Sequence, residues 1–270
     1  MTRLRDIAEG YGLFFVDQFG VLHDGARPYP GAVEALAALH GNGRKVVVLS
    51  NSGKRSAANE KRLERLGFSG SSWDLFLSSG EVAWRMLAAQ DPARRPKTCL
   101  VLSRGGDASP IEGLGIAVVE DADAAELVLI AGSEAPDKTL GAYEALLAPA
   151  ARRKVPALCV NPDMTMILPQ GGYAFGAGRI ARLYESLGGG VNWIGKPYPA
   201  IYETARALIG GNLRALGIGD SVEHDIVGAK GAGADGALVL AGIHADEPDL
   251  DALYEKEGAR PDHVLERFVW

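Results

Sequence analysis

The sequence predicts an α/β protein: a doubly wound parallel sheet with a second α/β block inserted into it. Three observations carry this. Short, wholly apolar runs each stop abruptly at polar residues, as strands buried on both faces of a parallel sheet do. Segments with helical spacing separate these runs, giving the β-α-β alternation of right-handed crossovers. The rhythm becomes denser over residues 78–177 and then resumes its opening style.

Leu13-Phe14-Phe15-Val16 is the first run, and it stops at Asp17. A turn through Asp24-Gly25, Pro28 and Pro30 leads to a helix over 31–40, with Val33, Leu36, Ala37 and Leu39 on one face and Gly41-Asn42-Gly43 closing it. Val46-Val47-Val48-Leu49 follows and ends in Ser50-Asn51-Ser52; an amphipathic helix over 54–66 is then closed by Gly67. The denser block predicts helices over 81–89 and 137–147 and strands over 98–102, 116–119, 127–130 and 157–160. After it come a helix over 179–186, a short strand over 191–194, a helix over 201–209, and a strand over 213–218 that ends at Gly219-Asp220. Glycines at 228–233 close a further helix before a final strand over 236–240. Short hinges near 77 and 178 divide the chain into a core of 1–77 with 178–270 and an insert of 78–177.

Composition narrows the function. A chain of 270 residues buries a full core without disulfides or a structural metal. Lys and Arg total 28 against 34 Asp and Glu, a net charge of −6, so no basic field exists to hold nucleic acid or an anionic membrane. Neither a signal-peptide pattern nor a long uncharged apolar span is present, and Cys99 and Cys159 sit in apolar runs; a cytoplasmic protein with both thiols in its core is expected.

In an open parallel sheet, ligands bind beyond the carboxyl ends of the strands, so the residues just after each run are the candidates: Asp17, Ser50, Asn51, Lys196 and Asp220. Two carboxylates, Asp17 and Asp220, suit a hard divalent cation such as Mg²⁺. A hydroxyl at Ser50 and an ammonium at Lys196 suit the oxygens of a phosphate, and a carboxylate can itself act as nucleophile. Taken singly, each has a plainer reading, because Asp and Ser after a strand often cap the next helix.

Taken in order, these residues resemble the haloacid-dehalogenase-like hydrolases, specifically the subfamily of nitrophenyl-phosphatase and nucleotide-phosphatase kind with a large α/β cap. Phe15-Val16-Asp17-Gln18-Phe19-Gly20-Val21-Leu22 matches the first motif, Val48-Leu49-Ser50-Asn51-Ser52 the second, Ile194-Gly195-Lys196-Pro197 the third, and the stretch from Gly217 to Ile226 the fourth. Asn161-Pro162-Asp163 also fits, near the end of the cap. The resemblance implies a Rossmann-like core, an inserted cap that shields the site, and Mg²⁺-dependent hydrolysis of a small phosphorylated metabolite through an aspartyl phosphate. It implies Asp17 as nucleophile and metal ligand, Phe19 as a ligand through its backbone carbonyl, Asp220 as ligand, and Asp225 as a ligand or a carboxylate just outside the ligand set. Ser50, Asn51 and Lys196 would bind phosphate, and the cap offers a surface for a homodimer.

One position departs from the pattern. Family phosphatases carry a second aspartate two residues after the nucleophile, as general acid and then base, and this chain has Phe19 there. Such help is worth about 10²–10⁴ in rate, so slow hydrolysis favouring good leaving groups is expected, and a nearly inactive binding protein is the alternative. His23 and Asp24 lie close enough in sequence to stand in, although Asp24-Gly25 also reads as a turn. A dinucleotide site at Gly176-Ala177-Gly178-Arg179-Ile180-Ala181 is disfavoured, because residues 169–175 do not form a clean buried strand and no acidic residue follows at the required distance.

Overall fold

The computed structural model describes residues 3–168, 171–245 and 247–270. The chain forms two compact units: Met1–Ser50, Ala57–Leu77 and Lys196–Trp270 make the first, Asn51–Ser56 and Ser78–Gly195 the second. In chain order the elements are α1 (Leu4–Ala8), β1 (Leu13–Asp17), α2 (Ala32–Gly41), β2 (Lys45–Ser50), α3 (Ser56–Arg65) and β3 (Leu75–Ser78). Then come α4 (Ser79–Ala88), β4 (Thr98–Leu102), β5 (Ala117–Val119), β6 (Leu127–Ile130), α5 (Leu140–Arg152), β7 (Ala157–Cys159), β8 (Thr165–Ile167), β9 (Tyr173–Phe175), α6 (Ala177–Ser186) and β10 (Val191–Trp193). Finally, α7 (Pro199–Ile209), β11 (Ala215–Gly219), α8 (Val227–Gly231), β12 (Asp235–Val239), α9 (Leu250–Glu257) and β13 (His263–Leu265) complete the first unit.

The sheet of the first unit runs β13-β12-β11-β1-β2-β3. β1 is parallel to both neighbours, Leu13 lying opposite Lys45 on one side and Ala215 on the other. All five β1 residues are buried, which is why the strand is apolar up to its last position. On one face Phe14, Val16, Val48, Leu216 and Ile218 pack against Leu36 and Leu39 of α2; fully burying each such side chain is worth about 1.5–3 kcal/mol. Strand order reverses between β1 and β11, so the ends of these two strands flank a crevice where helices depart in opposite directions.

The second unit holds a five-stranded parallel sheet, β10-β7-β6-β4-β5, and an antiparallel hairpin of β8 and β9. α5 and α6 cover the sheet with Tyr143, Leu147, Ile180 and Tyr184. The second hinge therefore falls at Gly195, later than the 178 expected from sequence. The reason is packing: α6 buries its apolar face in this unit's core, and β10 pairs with β7.

Other expectations need correction. The sequence pattern does not mark β3, because Leu75-Phe76-Leu77 is short and flanked by polar residues on both sides. The strand over 236–240 is not the last, since β13 pairs with β12 at the sheet edge. The second unit's helix starts at Leu140 rather than 137, capped by the Thr139 side chain, which accepts from the Ala142 N–H. Of the stretch 169–175, Pro169 and Gln170 lie outside the described residues, and Tyr173–Phe175 is a hairpin strand. Among the described residues no helix is long and apolar enough to cross a membrane.

Candidate active site

β1 delivers Asp17 to the crevice as its last residue, and β11 delivers Asp220 immediately beyond its end. Asp225 arrives on a π-helical turn over Val222–Ile226, in which the Ile226 N–H reaches back five residues to the Ser221 carbonyl. The Ser221 N–H donates to Asp225 Oδ2 at 3.1 Å and fixes the carboxylate. Lys196, 4% exposed, donates from Nζ to Asp17 Oδ1 at 2.5 Å and to Asp225 Oδ1 at 2.7 Å. One carboxylate oxygen each from Asp17, Asp220 and Asp225 lies within 4.8 Å of the other two.

Glycines make room for this cluster. A Cβ on Gly20, whose φ is +86°, would stand 1.9 Å from Asp220 Oδ2, and one on Gly242 would stand 2.0 Å from the same atom. On Gly219 it would overlap the Asp225 carboxyl carbon at 1.9 Å. Three backbone segments thus close around two carboxylates with no side chain between them.

The electrostatics follow from three acids sharing one ammonium. Burial, together with repulsion from Asp225, pushes Asp17 up to about 7 despite the attraction of Lys196. Asp220 is pushed up to about 8 by burial and by both neighbouring carboxylates, against the Ile243 N–H that donates to its Oδ2 at 2.8 Å. Burial alone would depress Lys196, but Asp17 and Asp225 outweigh it and hold the ammonium charged well above its usual range. Positive charge is what the cluster lacks. Its donors are all oxygens and are cradled at close quarters, which fits a hard divalent cation of the Mg²⁺ type.

Ser50, at the end of β2, is buried and accepts a hydrogen bond from the Gln18 amide at 2.6 Å. Asn51 belongs to the second unit, where its amide donates to Asp163 Oδ1 at 2.8 Å; this ties the second motif to Asn161-Pro162-Asp163. The Phe19 side chain is 39% exposed and packs edge-on against His23, with ring centroids 5.8 Å apart. His23 is fully buried, its Nδ1 accepts from the Gly25 N–H at 2.9 Å, and burial with the nearby Arg62 depresses it to about 4. Asp24 Oδ1 accepts from the N–H groups of Ala26 and Arg27, so it builds the turn. Burial keeps His23 neutral, and the N–H groups of Arg27 and Ala26 hold the Asp24 carboxyl below its ordinary value, so neither is poised to give up a proton at neutral pH.

Sequence reasoning missed Gln18, Gly242 and Tyr202. Tyr202, on α7, borders a small enclosed space with Asp17, Lys196 and Asp225, and its hydroxyl is raised out of the ordinary range by burial and by Asp225. Tyr202 looks like any apolar-face residue of an amphipathic helix, and Gly242 lies beyond the last run that pattern analysis recognised. The Gly-x-Gly stretch at 176–178 also has a packing explanation. A Cβ on Gly176 would meet the Asp163 carbonyl at 2.1 Å, and one on Gly178 the Pro162 carbonyl at 2.2 Å. Cys99 and Cys159 are buried, and burial pushes both thiols up to about 12, out of the range of nucleophilic chemistry at neutral pH.

A doubly wound core carrying an Asp-Lys-Asp-Asp cluster at its switch point defines the class: the chain belongs to the haloacid dehalogenase-like hydrolases. Residues 14–117 match the model of that family, and residues 193–269 match a second, HAD-hydrolase-like model. Among characterised proteins the chain is similar to the D-glycerol 3-phosphate phosphatase of Mycobacterium tuberculosis, 26% identical over 262 residues, which cover 97% of this chain and 71% of the relative. A crystal structure of that organism's glycerol phosphate phosphatase in complex with magnesium superposes with a TM-score of 0.77 at 27% identity, covering 97% of this chain and 77% of the other. A haloacid dehalogenase-like hydrolase from Brucella suis gives a TM-score of 0.84 at 28% identity, with both chains covered in full.

Proposed function

We propose that this chain is a Mg²⁺-dependent phosphatase of a small phosphate ester whose leaving group departs without protonation by the enzyme. The observation that carries the reading is the buried cluster in which Lys196 bridges Asp17 and Asp225 while Asp220 lies beside them. Asp17, Asp220, Asp225 and the backbone carbonyl of Phe19 would hold Mg²⁺. The bound ion would supply charge neutralisation for the phosphoryl oxygens.

The residues do the rest. An Asp17 carboxylate oxygen attacks phosphorus and forms the aspartyl phosphate; the ester P–O bond breaks, and its electron pair leaves on the departing oxygen. Lys196 orients Asp17 through the 2.5 Å contact and presents its charge to the transferred group. Ser50 donates its hydroxyl to a phosphoryl oxygen. Water then attacks the acyl phosphate at phosphorus, releasing inorganic phosphate and restoring the Asp17 carboxylate. With a phenyl ring at 19, no carboxyl is available there to protonate the departing oxygen, so aryl, enol and acyl phosphates are favoured over alkyl ones. Residues 51–56 and 78–195 take the place of the family's cap.

Phe19 favours a second reading, a protein that binds a phosphorylated metabolite with little or no turnover. The test is release of phosphate from 4-nitrophenyl phosphate with and without Mg²⁺, for the natural protein and for Asp17→Asn. Mg²⁺-dependent release abolished by Asp17→Asn supports the phosphatase. No release, with retained binding of inorganic phosphate, supports the binding protein.

A further inference from the structure

The segment after Asp17 contains a buried polar chain that takes no direct part in the proposed displacement. The Gln18 carbonyl accepts from the N–H groups of Leu22 at 2.9 Å and His23 at 3.1 Å, so the loop folds back and sets the His23 ring beside the Gln18 side chain. Gly25 N–H, fixed in a turn with φ +98°, donates to His23 Nδ1 at 2.9 Å. That bond decides the tautomer: Nδ1 carries the lone pair, and the neutral ring carries its proton on Nε2. Nε2 faces Gln18 Oε1 at 3.5 Å, a long contact whose polarity matches this orientation of the amide. A flipped amide would set N–H against N–H. The Gln18 nitrogen therefore points the other way, where it donates to Ser50 Oγ at 2.6 Å.

A hydroxyl has one proton and two lone pairs. Once it accepts from Gln18, Ser50 cannot give its proton to that same partner, and the proton is directed to another acceptor. We propose that Gln18, held by His23, is a positioning residue that fixes the Ser50 hydroxyl as a hydrogen-bond donor to the phosphoryl group. The role rests on the phosphatase reading of this site and goes beyond it, because neither Gln18 nor His23 touches the reacting atoms.

The test is a double-mutant cycle on binding of inorganic phosphate, measured by calorimetry with Mg²⁺ present, for the natural protein, Gln18→Met, Ser50→Ala and the double variant. Methionine keeps the length and removes the amide. Each single change is expected to weaken phosphate binding by about tenfold or more, the worth of one hydrogen bond to a charged group. The double variant is expected to bind as Ser50→Ala does, since Gln18 then has nothing left to orient. In turnover of 4-nitrophenyl phosphate, Gln18→Met should raise KM with kcat within a few-fold, the signature of binding lost equally from ground and transition states.

Additive losses, unchanged phosphate binding in Gln18→Met, or a fall in kcat at constant KM would each overturn the positioning role. Thermal unfolding run in parallel checks that Gln18→Met folds; if it does not, Gln18→Asn, whose shorter amide cannot span His23 and Ser50, replaces it in the same cycle. A natural protein that turns over the ester but shows an additive cycle overturns this role alone. One that neither binds phosphate nor releases it overturns the phosphatase reading, and this role with it.

Discussion

At the scale of single residues, the proposed chemistry turns on position 19. Phe19 leaves the site without a carboxyl at the usual place, His23 is held neutral with Nδ1 already accepting, and the Asp24 carboxylate is spent on its own turn. In the proposed reaction the leaving oxygen would then depart as an anion or draw its proton from water. We expect kcat/KM on 4-nitrophenyl phosphate to exceed that on glycerol phosphate by at least a hundredfold, and Phe19→Asp to raise the glycerol phosphate value by about 10²–10⁴. Steady-state kinetics on both esters decides this, and equal rates for the natural protein would show that position 19 does not limit protonation. A second residue-scale prediction concerns Gly242, over which the Asp220 carboxylate lies so closely that a methyl group would overlap it. Gly242→Ala should weaken Mg²⁺ binding about tenfold or more by pushing Asp220 aside, read by titration calorimetry, whereas Gly41→Ala, at a helical glycine with nothing within 4 Å, should leave it unchanged.

At the scale of elements, what was legible in the sequence follows from burial on both faces. β1, β2 and β11 sit in the middle of the sheet and show as uninterrupted apolar runs, so the residues at their ends, Asp17, Ser50 and Asp220, could be picked out at once. Edge strands carry no such signal: Val264 of β13 is exposed, as are Ile167 and Tyr173 of the hairpin, and a half-wetted three-residue strand resembles a loop. Side chains that act through others, such as Gln18, or that only make room, such as Gly242, leave no pattern because their role depends on contacts distant in sequence. β3 shows how an edge strand is held instead. Asp74, just before it, accepts from the Val46 N–H at 2.8 Å and from Lys45 at 2.6 Å, while its own N–H donates to the Val46 carbonyl. Burial would raise this carboxyl, but Lys45 and the Val46 N–H outweigh burial and lower it. A carboxyl lowered on folding contributes stability that is present above its unfolded pKa and lost as pH falls through the folded one. Asp74→Ala should thus cost about 1–2 kcal/mol at pH 7, and the gap to the natural protein should close below about pH 4. Urea unfolding at both pH values measures it; a gap unchanged by acid would mean that the charge of Asp74 contributes nothing.

At the scale of the whole molecule, all the acids of the cluster and their one ammonium belong to the first unit, so metal and proton linkage should be confined to that unit. Asp17 and Asp220 are raised to about 7 and about 8, against about 3.9 for an unfolded chain. Between those limits the metal-free native state binds more protons than the unfolded state, so its stability falls as pH rises from about 5 to 8. Mg²⁺ acts in the opposite sense, binding the deprotonated native carboxylates and losing to protons in acid. At a free concentration a hundredfold above its Kd, it should add about 2.7 kcal/mol at pH 8, an upward shift in melting temperature of about 5–10 °C for a unit of this size, with little gain at pH 5.5. Hydrogen exchange locates the effect: Mg²⁺ should slow amide exchange in β1, β11 and the turn that carries Asp225, and leave β4 and β6 of the second unit unchanged. A Mg²⁺ shift equal at both pH values would show that the cation binds somewhere other than these carboxylates, and protection appearing first in β4 and β6 would place that site in the second unit.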